Sequence, residues 1–288
     1  MNLHTVHCPI ILNQHRARIP LGTCTHAGYF SDARHVDRLE NYQIITPEVD
    51  GGYWWVYGHP DYPDYPAHGW DCMDYLYKYA LDKQKTMIGY HLRWWFPNTT
   101  VQPVDIAAWI TEAMTMYPKI IEWIVLNEAW WEDWATIPMI PESCEIARKV
   151  RPDAVLWYNG LLFQPYEQQQ ALDLVARGLV DGISIQMHHN LYTDLSVYLP
   201  LLEQLKARNV RWRVSELDVV IPNTTYESLR DQAECYRQAL ELVWQYGGES
   251  LITWGIADCV SWQSKYFPLP FDVEYKPKPA WDVLTEAV

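Results

Sequence analysis

Two glutamates close apolar runs that read as β-strands. Glu128 follows Trp123-Ile124-Val125-Leu126-Asn127, and Glu216 follows Trp212-Arg213-Val214-Ser215. Two carboxyls at one mouth can divide their work, one held protonated as a general acid and the other held ionised. At a separation of about 5–5.5 Å such a pair suits double displacement at the anomeric carbon of a sugar. Holding Glu128 protonated near neutral pH requires apolar walls or a negative neighbour. Trp123, Trp130 and Trp131 flank it in the sequence and are candidates for that wall.

Other polar residues also fall where apolar runs end. Thr46-Pro47-Glu48 closes one run; Tyr90-His91, followed by Arg93, Trp94 and Trp95, closes another. Tyr158-Asn159, Gln186-Met187-His188 and Glu216-Leu217-Asp218 end three more, and Trp254-Gly255 precedes Asp258 and Trp262. Asp218 stands two residues beyond Glu216, so an extended chain points both side chains the same way.

The runs themselves number eight: Ile19–Cys24, Gln43–Thr46, Thr86–His91, Ile120–Leu126, Ala154–Tyr158, Gly182–Gln186, Arg211–Ser215 and Ser250–Trp254. Amphipathic helical stretches separate them. Leu229, Ala233, Tyr236, Leu240, Val243 and Trp244 recur mostly three and four residues apart, ahead of a Gly247-Gly248 cap,. Met73, Leu76 and Ala80 form a similar stripe, as do Leu174 and Val175 before Gly178. Strands alternating with helices imply parallel pairing through right-handed crossovers. Eight such units in 288 residues favour a closed (β/α)8 TIM barrel of the α/β class, a single domain spanning 1–288,. Its chemistry would then sit at the C-terminal strand ends, where the polar residues cluster.

Composition narrows the partners. The formal charge of −14 argues against a nucleic-acid or anionic-membrane surface, and no apolar run reaches membrane-spanning length,. No phosphate-binding glycine motif follows any strand, which disfavours a nucleotide site. The 16 Trp and 20 Tyr, against 5 Phe, suit stacking on sugar rings, although packing alone accounts for many of them,. Cys8, Cys24, Cys72, Cys144, Cys235 and Cys259 include no C-x-x-C pair, so neither a zinc ribbon nor a redox dithiol is expected,. Met1 to Leu12 lacks the charged-then-apolar pattern of a secretory leader,.

The ordered set of segments resembles glycoside hydrolase family 10, whose typical activity is endo-β-1,4-xylanase. Carrying the resemblance are Pro20-Leu21-Gly22, Ile45-Thr46-Pro47-Glu48, Gly89 to Trp95 and Trp123 to Glu128. Arg151-Pro152-Asp153-Ala154 leading to Tyr158-Asn159, Gln186-Met187-His188 and Ser215-Glu216-Leu217-Asp218 follow in family order. Trp254 to Asp258 with Ser261-Trp262, and a closing Lys276 to Trp281, complete it. The resemblance implies Glu128 as acid/base and Glu216 as nucleophile. It further implies that Asn127 bonds the sugar 2-hydroxyl, that His188 bonds Glu216 with Asp218 behind it, and that Gln186 lies beside them. Trp94, Trp254 and Trp262 would wall the site, and Glu48 and Asn159 would join them in binding substrate. No metal or organic cofactor is implied. A monomer acting on xylan or xylo-oligosaccharides is expected, extracellular by resemblance, with the cytoplasm as the alternative because Met1 to Leu12 shows no leader pattern.

The departures concentrate on one side. After Glu48 the family continues with an asparagine and, three residues later, a lysine; here Val49 and Gly52 stand instead. Each lost polar contact is worth roughly 1–3 kcal/mol if buried. The family's Gly-His-Thr-Leu-Val-Trp-His becomes Gly89-Tyr90-His91-Leu92-Arg93-Trp94-Trp95, which leaves Tyr90 and His91 as the replacement substrate contacts. The segment Tyr53 to Trp70 carries aromatics and prolines, readable as a stacking platform or as a packed loop. His59, Asp61, Asp64 and His68 within it read as a solvated loop before a metal site, and Asn98-Thr99-Thr100 and Asn223-Thr224-Thr225 match a glycosylation acceptor,. Alternatives remain open: the same chemistry on another β-glycoside, or a non-catalytic carbohydrate-binding barrel.

Overall fold

The computed structural model describes residues 18–58, 67–94, 105–129 and 139–287. Eight parallel strands close on themselves in sequence order, the last pairing with the first. They are β1 (Leu21–Thr25), β2 (Ile44–Pro47), β3 (Thr86–Gly89) and β4 (Glu122–Asn127), then β5 (Val155–Gly160), β6 (Gly182–Asn190), β7 (Arg211–Val220) and β8 (Leu251–Thr253). The described helices are α1 (Ala33–Leu39), α2 (Tyr53–Tyr57), α3 (Asp71–Asp82), α4 (Ile106–Met116), α5 (Met139–Val150), α6 (Pro165–Ala176), α7 (Leu199–Ala207), α8 (Tyr226–Tyr246) and α9 (Pro279–Thr285). The expected (β/α)8 barrel is therefore what the chain forms.

The helices show why these residues build them. In α8 the stripe of Ala233, Tyr236, Leu240 and Val243 is buried against the barrel. Thr225 caps its start by accepting from the Ser228 N–H, and Gly247 ends it with φ 72°, a left-handed geometry that glycine adopts without strain,. Asn223 of the glycosylation-like triplet uses its side-chain oxygen there too, accepting from the Thr225 and Ser228 hydroxyls. Met73, Leu76 and Ala80 are the buried stripe of α3. The other triplet lies outside the described residues. No described helix is long and apolar enough to cross a membrane, and the described cysteines are all free.

Strand alternation separates two cores. Ile44, Ile88, Tyr90, Ile124, Trp157 and Ile252 fill the barrel interior, while a larger cluster joins the outer strand faces to the helices. Trp123 belongs to the outer cluster: it points away from the barrel and donates its indole N–H to the Ile120 carbonyl at 3.1 Å. It therefore forms no wall for Glu128, and Trp130 and Trp131 lie outside the described residues. The strand phase decides this, because Ile124 and not Trp123 faces inward,.

Near the opposite end of the interior, the Arg213 guanidinium lies 3.9 Å from the Trp157 ring centroid and donates to Glu122 at 2.7 Å. Ser184 Oγ accepts from the same guanidinium at 3.0 Å, and Trp157 donates to Glu122 at 3.0 Å. A buried arginine survives because its charge is paired with Glu122 and its Nε and Nη1 donors are used,.

Bulges in two strands, β4 and β7, interrupt the ladder beside the site. Between β4 and β5 the register skips from Ile124↔Trp157 to Leu126↔Tyr158, so β4 carries one extra residue. Between β6 and β7 it skips from Ile185↔Val214 to Gln186↔Glu216, so β7 carries the extra Ser215. Such bulges reset the in–out phase of a strand. Below them Ile124 and Arg213 face the interior; above them Asn127, Glu216 and Asp218 do.

Gly89 at the end of β3 is required by packing. A Cβ there would stand 2.1 Å from Cε3 of Trp123. Gly89→Ala should cost about 1–3 kcal/mol through overpacking. Urea denaturation should show a lower midpoint with an unchanged slope; an unchanged midpoint would contradict the packing described.

Candidate active site

Glu216 is buried at 3% exposure, and donors from several strands converge on it. Its Oε1 accepts from the Tyr90 hydroxyl at 2.7 Å, Asn159 Nδ2 at 2.6 Å and Gln186 Nε2 at 2.9 Å. Its Oε2 contacts His188 Nε2 at 3.0 Å. The other imidazole nitrogen of His188 contacts Asp218 Oδ2 at 2.9 Å, and Trp262 donates its indole N–H to that same oxygen at 2.8 Å.

Burial opposes charge on His188, but the carboxylates of Asp218 and Glu216 on either side overcome it and push the imidazole up to about 10. The side chain is therefore an imidazolium between two carboxylates at neutral pH. Burial likewise opposes charge on Glu216, yet the hydrogen bonds and charge of His188, with those from Tyr90 and Asn159, hold it below the usual carboxylate value,.

Glu128 has the opposite environment. It sits one residue past β4 with φ 53°, uncommon for a non-glycine residue, and its N–H donates to the Asn159 carbonyl at 2.8 Å,. Burial raises its pKa, and the charge on Glu216 raises it further. Hydrogen bonds from Gln186 at 3.0 Å and Trp94 at 3.1 Å only partly offset this. The two carboxyls are thus driven apart in acidity, one toward the ionised form and one toward the protonated form.

The sequence-predicted residues fall into three groups. Glu128, Glu216, Asn127, Gln186, His188, Asp218 and Asn159 form one hydrogen-bonded network with Tyr90, Trp94 and Trp262. Asn159 lies fully buried beneath the carboxylates, its Nδ2 shared between Asn127 Oδ1 at 2.7 Å and Glu216, its Oδ1 accepting from Ser215 at 2.5 Å. The second group is aromatic. Trp254 lies 5.2 Å from Tyr90, ring to ring, and Trp262 stays 60% exposed although its N–H is anchored, so its face remains open at the rim. His91 packs edge-on between Tyr90 and Trp94; burial pushes it down to about 3 and keeps it neutral.

Glu48 anchors the third group, on the β1–β2 side. Tyr29 donates to it at 2.9 Å, and burial raises its pKa. Beside it Asp50, fully buried, accepts from the Ala27 N–H at 3.2 Å and is raised to about 6 by burial. A Cβ on Gly52 would stand 3.6 Å from the His91 ring, so His91 borders the space the missing side chain leaves open. His68 stacks on Trp55 at 3.9 Å; His59, Asp61 and Asp64 lie outside the described residues. Among the described residues no cluster is arranged to hold a metal ion. Tyr29, Asp50 and Ser215 were not singled out from sequence. Ser215 had one available signal, its place next to Glu216, but only the bulge brings both inward.

A closed parallel barrel with an acidity-split carboxyl pair above its strands defines the architectural class. Residues 15–287 match the model of Glycosyl hydrolase family 10. The chain belongs to that family. It is 28% identical over 262 residues to an endo-1,4-β-xylanase A of Thermoanaerobacterium saccharolyticum, covering 74% of this chain and 22% of that protein. It is 28% identical over 258 residues to the exoglucanase XynX of Acetivibrio thermocellus, covering 73% and 24%. The chain thus spans about a quarter of the length of these relatives. The crystal structure of native xylanase 10B from Thermotoga maritima superposes with a TM-score of 0.80 at 21% identity, over 94% of each chain, which shows the shared fold.

The raised pKa of His188 carries a stability consequence. A group raised in the folded state stabilises fully below its ordinary value near 6.5 and loses that contribution as pH climbs through about 10,. The urea midpoint of the wild type should therefore fall between pH 7 and 10. Asp218→Asn, which removes one of the two raising charges, should flatten that fall; an equally steep decline in the variant would contradict the assignment.

Proposed function

We propose that this chain is a retaining endo-β-1,4-xylanase, cleaving internal xylosidic bonds by double displacement. One observation carries the mechanism: Gln186 Nε2 bonds Glu128 Oε1 at 3.0 Å and Glu216 Oε1 at 2.9 Å. Two oxygens held by one nitrogen at those distances lie no more than about 6 Å apart,. That accommodates the ~5–5.5 Å of retaining enzymes and falls short of the ~6.5–9.5 Å that seats a water between the carboxyls.

Glu216 attacks the anomeric carbon while Glu128 protonates the departing oxygen. A water then displaces the glycosyl ester, giving its proton to Glu128. His188, charged and braced by Asp218, keeps the nucleophile ionised. In this reading Asn127 bonds the sugar 2-hydroxyl, and Trp94, Trp254 and Trp262 line the ring. The reaction as written requires no metal or organic cofactor. Xylan as substrate is supported by the xylanase names among the relatives.

A second reading keeps the chemistry and changes the glycan. Val49, Gly52 and Tyr90 favour it, because they alter the glycone side while the carboxyl network is complete. A non-catalytic barrel is disfavoured, since binding alone needs no acidity-split carboxyl pair. A panel of xylan, mixed-linkage glucan and aryl β-glycosides separates the readings. Release of xylobiose and longer products supports the first, silence on xylan with turnover of another β-glycoside supports the second, and no turnover at all removes both.

Glu216→Gln should lower kcat by several orders of magnitude, the scale of losing a nucleophile. Near-normal turnover would remove Glu216 from that role. Glu128→Ala should spare aryl glycosides with good leaving groups far more than xylan, because such groups depart without a proton. The kcat/KM profile should be bell-shaped. Its acid limb reports protonation of Glu216, below the usual carboxylate range, and its alkaline limb reports loss of the proton from Glu128, above that range,. On an activated aryl glycoside, whose departure needs no proton from Glu128, the wild-type profile should lose the alkaline limb alone.

A further inference from the structure

We infer that Tyr90 is a positioning residue of the nucleophile, committing Oε1 of Glu216 to a spectator role and leaving Oε2 to attack. The inference rests on the double-displacement reading above. Oε1 accepts from Tyr90 at 2.7 Å, Asn159 at 2.6 Å and Gln186 at 2.9 Å. A carboxylate oxygen has two lone-pair directions, so three donors leave none pointing at a sugar carbon. Oε2 faces His188 at 3.0 Å and keeps a second direction open.

The two steps then use the oxygens differently. In the first, the bond from Oε2 to the anomeric carbon forms as the bond to the leaving oxygen breaks. The leaving oxygen keeps that electron pair and takes the proton of Glu128. Oε1 becomes the ester carbonyl oxygen with its donors still in place. In the second step water attacks the anomeric carbon and gives its proton to Glu128. The electron pair of the ester bond returns to the carboxylate, and the returning charge spreads onto Oε1, where the Tyr90 hydroxyl already waits. Donors on Oε1 make Glu216 a weaker base and a better leaving group. Tyr90 therefore favours the second step, while in the first its two effects, orientation and lowered nucleophilicity, oppose each other.

The tyrosine is built for this. Its ring is buried at 4% exposure, tilted against Trp254 and edge-on to His91. Burial and the neighbouring carboxylates hold its hydroxyl protonated, so it remains a donor across the working pH range.

The test uses a 2-deoxy-2-fluoro β-xyloside with a dinitrophenolate leaving group, which forms the ester and releases it slowly. Mass spectrometry of the wild type should show one added sugar. A crystal structure of that adduct should place the ester oxygen toward His188 and the carbonyl oxygen toward Tyr90. A sugar joined to the oxygen facing Tyr90 overturns the inference and leaves double displacement intact. Failure of the wild type to be trapped removes double displacement first, and this inference with it. In Tyr90→Phe, trapping should stay within roughly threefold of wild type while reactivation slows about 10- to 100-fold, the scale of a lost hydrogen bond to a charged group. The acid limb of trapping should move upward by up to about one pH unit. Unchanged reactivation, or equal slowing of both steps, would mean that Tyr90 only packs. The wild-type adduct decides the matter even if the variant fails to fold.

Discussion

A carboxylate taken out of water keeps its charge only where donors replace the hydration it gave up. Glu216 meets that constraint, and much of the upper barrel is arranged to satisfy it. Its donors come from just past β3 (Tyr90), from β5 (Asn159) and from β6 (Gln186 and His188), while Asp218, on its own strand, keeps His188 charged. Because several strands contribute, no local segment could build the site. It exists only once the barrel has closed. Glu128 then inherits its acidity from the same arrangement, since the ionised neighbour and its own burial both favour the protonated form.

The barrel supplies this convergence through alternation and through its interruption. A regular strand presents every second residue inward, which would aim Ser215 at the interior and turn Glu216 away. The extra residue in β7 restores inward phase at Glu216 and Asp218, and the extra residue in β4 does the same for Asn127,. The displaced Ser215 is not wasted; its hydroxyl fixes the carboxamide of Asn159 so that Nδ2 faces Glu216. Deeper in the barrel, Arg213, Glu122 and Trp157 form a second buried charged group that makes no contact with the carboxyl pair, so it is read as structural.

Much of this was legible in the sequence, and the reasons are physical. All eight strand positions and the helix stripes could be read because strands buried on both faces become short apolar runs, while helices carry a period of 3.6,. The spacing of Glu216 and Asp218 already implied a shared face. Trp123 was misread as a wall because nearness in sequence says nothing about strand phase, and a bulge leaves no compositional trace. Tyr90 was read as a contact for substrate, and that its hydroxyl meets Glu216, a residue 126 positions away, had no linear signal. Such a pairing is set by barrel closure and by rotamer, neither of which a linear pattern records. Asn159 was likewise read toward substrate and lies instead behind the carboxylates.

These placements separate the carboxyl network from the turn that carries Val49 and Gly52. The groups that tune the carboxyls are on or directly beside interior strand positions, locked by packing and by one another. Val49 and Gly52 lie past the end of β2, in the turn leading to α2, where Glu48 is held by Tyr29 and Asp50 by the Ala27 N–H. Substitution there disturbs no donor to Glu216. Tyr90 belongs to both regions. Its ring packs against Trp254 and against His91, which borders Gly52, while its hydroxyl meets Glu216. A change at this position would alter the packing against Trp254 and His91 and the charge balance of Glu216 together. Tyr90 therefore ties the altered turn to the charge balance of Glu216, and His91, which borders Gly52 and packs on Tyr90, lies on the same path.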